Sequence, residues 1–167
     1  MTRFYGKYRG KVVLNFDTEQ RGRILVRVPE VLGDTGQGWA MPSVPYAGMQ
    51  AGIYAVPPPN ANVWVEFEAG DADRPIWSGC FWDPGEAPSL ALVPPLPVPH
   101  IMMQTTAQNM IHISDAPGPT GGILIRCGTG AMISISDTGI TLSDGKGGTI
   151  SLISGVVSIN PPALVIK

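Results

Sequence analysis

The sequence predicts an all-β chain in two parts: a small closed barrel of five or six strands, then a strand repeat that can fold only within a homotrimer. Three observations predict it. With 21 glycines and 17 prolines among 167 residues, and 44% hydrophobic side chains, the composition describes short strands and tight turns; it fits neither a helical bundle nor a disordered chain. The four Trp, four Tyr and four Phe all lie between Phe4 and Trp82, and none follows. Charge divides the same way, with 18 charged side chains in residues 1–90 and six in residues 91–167.

In the first half, residues 8–16 (YRGKVVLNF) and 22–29 (GRILVRVP) read as strands. The second alternates Ile24, Val26 and Val28 against Arg23, Leu25 and Arg27, a period of two. The following VLGDTGQG reads as a loop, and residues 39–44 and 52–56 as further strands. Residues 62–68 (NVWVEFE) set Val63, Val65 and Phe67 against Trp64, Glu66 and Glu68, and residues 76–82 (IWSGCFW) make the last strand. Only DTEQR at 17–21 offers a helix signal, and it is short. Five or six strands in about eighty residues is the size of a small barrel such as an OB-fold. This domain is expected over residues 1–83.

Residues 84–100 are crowded with prolines, which remove backbone donors and fix φ, so they read as an extended linker. Beyond it, over residues 101–167, strands are expected at 111–114, 123–127, 131–136, 140–143, 149–153, 156–159 and 164–166. Ile133, Ile135, Ile140, Leu142, Ile150, Leu152, Val157 and Ile159 alternate with Ser, Thr or Gly, so one face is apolar and the other small and polar. A segment this short without aromatics or disulfides cannot bury enough apolar surface alone. Three intertwined copies with those eight side chains inward would supply the core and remove the sheet edges.

Several function classes are excluded or disfavoured. Eleven basic against 13 acidic residues leave no footprint for a phosphate backbone, so nucleic acid is not an expected partner. No apolar run is long enough for a signal peptide or a spanning helix, which points to assembly in the cytoplasm; contact with a target membrane, and then only a transient one, enters with the family resemblance below. Cys80 and Cys127 read as buried thiols. Asp17 and Asp71 occupy turn contexts that favour backbone capping, while Glu66 and Glu68 share an outer strand face, so no catalytic carboxylate pair and no enzyme is expected. His100 and His112 lack a third ligand, so no metal or other cofactor is assigned; the alternative is three His112 rings stacked about a threefold axis. The glycine-rich 128–130 and 144–148 precede no helix and read as turns.

The segments GKVVLN at 10–15 with Asp17, GRILVRVP at 22–29, WAMPSVPYAG at 39–48 and VWVEFEAGDADRPIWSGCFW at 63–82 resemble the OB-fold of phage baseplate assembly protein V. That family forms the central spike of contractile phage tails and is related to the VgrG spikes of type VI secretion. The resemblance implies an N-terminal OB-fold, a C-terminal intertwined triple-stranded β-helix, and a homotrimeric needle that punctures the target envelope when the sheath contracts. Its partners would be a baseplate hub at the OB-fold end and, at the other end, a separate tip protein of the PAAR type. The chain begins almost at its first strand, which leaves a hub domain to another protein. Relatives hold iron through a His-x-His near the C-terminus; here no histidine follows His112. Arg23, Trp39, Trp64 and Trp82 are the expected hub or inter-subunit contacts. The alternative reading is an OB-fold module that binds glycan or nucleic acid, with the C-terminal strands as a trimerising stalk.

Overall fold

A computed structural model describes residues 2–92, 98–161 and 163–166. The chain divides into two compact units, Met1–Glu86 and Ala87–Lys167. The first is a closed five-stranded barrel of β1 (Tyr8–Leu14), β2 (Ile24–Arg27), β3 (Gln37–Pro42), β6 (Asn62–Phe67) and β7 (Pro75–Phe81), in the order β1-β2-β3-β7-β6. Its neighbours are antiparallel except β3 and β7, which run parallel through Met41 opposite Ile76. The alternation of β2 and β6 turns Ile24, Val26, Val63, Val65 and Phe67 inward, where they meet Val12, Val28, Ala40 and Trp77. Gly10 keeps the interior open, because a Cβ there would meet Val65 Cγ2 at 2.8 Å. Between Val12 and Leu14 the register slips by one residue, a bulge that turns Leu14 outward beside Leu25.

The barrel differs from the sequence expectation in two places. DTEQR forms a turn, not a helix; the helical turn is α1 (Pro29–Leu32), inside a stretch read as strand end and loop. Pro29 there supplies a preset φ at the first helical position, and Gly33 at φ 75° ends the turn with its N–H donating to the Pro29 carbonyl. The strand expected at 52–56 is reduced to a two-residue hairpin, β4 (Ala47–Gly48) with β5 (Ala51–Gly52), leaving Ile53 and Tyr54 exposed.

The second unit is an eight-stranded antiparallel meander in which every strand pairs with the next. Its strands are β8 (His100–Gln104), β9 (Met110–Ser114), β10 (Gly122–Arg126), β11 (Met132–Ser136), β12 (Gly139–Ser143), β13 (Thr149–Ile153), β14 (Val156–Ile159) and β15 (Leu164–Ile166). β8 was not expected; it begins at His100, a residue assigned to the linker. Part of that linker, Ser89–Leu92, winds into a short 3-10 turn, and residues 93–97 of it lie outside the described residues.

Candidate functional site

The register of the meander arranges its apolar side chains as two ladders. One runs Met103, Ile111, Ile125, Ile133, Leu142, Ile150, Ile159 and Leu164, each directly opposite the next across adjacent strands. The other runs Ile101, Ile113, Ile123, Ile135, Ile140, Leu152 and Val157. All eight residues singled out in the sequence stand in these two rows. Because partners across an antiparallel pair share a face, both ladders lie on one side of the sheet. In the single chain that side is open: Ile125 is 45% exposed, Ile135 42% and Leu152 43%, while Ile140 and Val157 are half-buried. The other side carries Ser134, Ser136, Thr141, Ser143, Ser151 and Ser158.

Side chains at the turns satisfy the backbone between these strands. Asp144 Oδ1 accepts from the N–H groups of Lys146 and Gly148, and Asn160 Oδ1 accepts from Thr149 N–H. Gly130 N–H donates to the Cys127 carbonyl. The glycine-rich segments therefore bind their own backbone.

On the barrel, Asp17 organises the loop into β2. Its carboxylate accepts from the N–H groups of Glu19, Arg21 and Arg23 and from Arg23 Nη2 at 2.8 Å. The Arg23 hydrogen bond, supported by the backbone donors and opposed by burial, holds the Asp17 carboxyl well below the usual carboxylate range. The Arg23 guanidinium lies 5.3 Å from the Trp39 ring centre, so the structure spends it inside the chain. Trp39 is 37% exposed. Trp64 packs against Phe81 at 4.7 Å with Arg9 over both rings, and Trp82 stands 69% exposed. These four positions do not form one cluster: Arg23 and Trp39 pair on the β2–β3 side, Trp64 on β6.

Asp71 caps its own turn through Asp73 N–H, and Glu66 and Glu68 pair with Lys7 and Arg74. Cys80 and Cys127 are exposed rather than buried: Cys80 is the last residue but one of β7, and Cys127 follows the end of β10. His112 falls on the side of the sheet opposite the ladders, in register with Met102 and Leu124. Burial and the neighbouring His100 push the His112 pKa below its ordinary value. Among the described residues no group of three or more His, Cys, Asp or Glu is placed to hold a metal, and no helix is long and apolar enough to cross a membrane.

Residues 8–82 match the type VI secretion system/phage-baseplate injector OB domain, and residues 100–165 match the phage baseplate V C-terminal trimerisation domain. The chain belongs to the phage baseplate V family. The two matches fall on the barrel and on the meander, so the baseplate V assignment covers both folded units. No curated protein matches the chain. The baseplate V domains make the protein a structural component of a phage baseplate or type VI-type injector, and its C-terminal unit a trimerisation domain.

Proposed function

We propose that this baseplate V protein is the homotrimeric central spike of a contractile injection machine. Three copies of residues 101–167 close their ladders into an intertwined triple-stranded β-helix, and residues 84–100 link this needle to the OB domain of residues 1–83. The barrel seats the trimer on a separate hub protein through its outer aromatic surface, with Trp39, Trp64 and Trp82 as contacts and Arg23 fixing Trp39. A separate tip protein caps the far end, and sheath contraction drives the needle through the target envelope. The reading needs no cofactor and no catalytic group. A single observation carries it: fifteen apolar residues in two unbroken rows, thirteen of them exposed in one chain, on a unit that matches a trimerisation domain. Size-exclusion chromatography with light scattering should give a particle of three 17.7 kDa chains, resistant to SDS until boiled. In the parent particle, deletion of the gene should abolish target killing while a plasmid copy restores it. A monomer in solution, or killing without the protein, would overturn the proposal.

A further inference from the structure

We propose that His100, Met102 and His112 form a binding site for a soft monovalent metal ion, Cu(I) by its chemistry, on the side of the meander opposite the ladders. β8 and β9 are antiparallel, with Met102 directly opposite His112. Side chains so placed have Cβ atoms roughly 4.5–5.5 Å apart. His100 lies two residues before Met102 on the same strand face, and its ring centre is 5.7 Å from that of His112, edge to face at 76°. Three ligand-type side chains thus stand on one face of two neighbouring strands, two of them with their rings in contact.

The hydrogen bonding leaves the ligating atoms free. His100 Nδ1 donates to the Val98 carbonyl at 2.9 Å, which fixes the ring and leaves Nε2 with an open lone pair. Metal-bound histidines are commonly held in this way, by a backbone carbonyl on the other ring nitrogen. His112 Nε2 is buried and has no hydrogen-bond partner among the described residues. A buried polar atom without a partner is unusual and calls for an explanation, which an ion supplies.

The composition of the site selects the ion. Two imidazoles and a thioether without any carboxylate suit Cu(I), since thioethers favour soft ions and closed zinc sites take four Cys, His or carboxylate ligands. Met110, buried and two residues from His112 on the same face, offers a second thioether nearby. Arg126, paired with Met110 on that face, adds positive charge, which disfavours a divalent ion more than a monovalent one.

Ag(I) serves as a probe of Cu(I) coordination that does not change oxidation state. The exposed thiols would compete, so the full-length trimer carries Cys80→Ser and Cys127→Ser. Calorimetric titration in chloride-free buffer should show one Ag(I) per chain, with the Met102 methyl shifting in ¹³C-methyl spectra. Met102→Leu and His112→Leu, each confirmed as trimeric, should weaken binding at least tenfold, and Zn(II) should bind at least tenfold more weakly than Ag(I). Binding that leaves the Met102 methyl unmoved, affinity unchanged in both variants, or Zn(II) binding as tight as Ag(I) would each overturn the proposal. None of these outcomes bears on trimer formation.

Discussion

Leu152→Asp should abolish the trimer while leaving the barrel folded. Leu152 is 43% exposed in the single chain, and full burial of such a side chain is worth about 2 kcal/mol, so assembly gains about 0.8 kcal/mol from it. Summed over both ladders this is on the order of 10 kcal/mol per chain, before the several kcal/mol that association costs. Leu152→Ala forfeits less than ~1 kcal/mol per chain and should leave a weaker trimer. Leu152→Asp places three unpaired carboxylates in a dry interior at several kcal/mol each, which cancels the remaining surplus. Light scattering at micromolar concentration distinguishes one chain from three, and tryptophan fluorescence reports the barrel, since no Trp lies beyond residue 82. Ser151→Asp is the control, because it adds the same charge one position away on the polar face and should still give trimers. A normal trimer yield from Leu152→Asp, or failure of Ser151→Asp as severe as that of Leu152→Asp, would refute the assignment of faces.

Two further predictions follow from individual side chains. Asp17 has a folded pKa below its unfolded value near ~3.9, so its contribution to stability is present above about pH 4 and is lost as pH falls through the folded value. Asp17→Asn should therefore lower the barrel melting temperature at pH 7, with the gap from wild type narrowing below pH 4; a gap independent of pH would contradict the ion pair. Cys127 borders the ladder face beside Ile125 and Ile133, so in the trimer it should react with maleimide at least tenfold more slowly than Cys80, and both should react in 6 M guanidinium. Equal rates in the native trimer would place Cys127 outside the covered face.

The sequence made the two-part architecture readable through period two. Ile133 and Ile135, like Ile140 and Leu142, alternate with Ser or Thr, which puts each pair on one face of its own strand; the register, Ile133 opposite Leu142 and Ile135 opposite Ile140, then sets both pairs on the same side. β8 was hidden because Met102 interrupts the alternation in HIMMQ and prolines precede it. The Pro29 helix carries a readable signal, a proline at a first helical position followed by Gly33, within a stretch whose other glycines and Asp34 read as loop. The pairing of Asp17 with Arg23 depends on how the turn folds back over six residues, which local spacing does not show. Free cysteines are commonly buried, and sequence alone does not show that Cys80 and Cys127 stand where their strands leave the thiols exposed.

The ladders also act as a ruler. From β8 to β14 each strand adds one rung to each row, and each strand adds about 4.8 Å to the height of the sheet, so eight strands span roughly 34 Å. From β11 to β14 the rungs are interchangeable in kind, two aliphatic residues per strand with Ser or Thr between. Duplicating one hairpin would therefore lengthen the rod by roughly 10 Å without altering its cross-section or its register. Length becomes a property of copy number along the gene, separable from the attachment carried by the barrel.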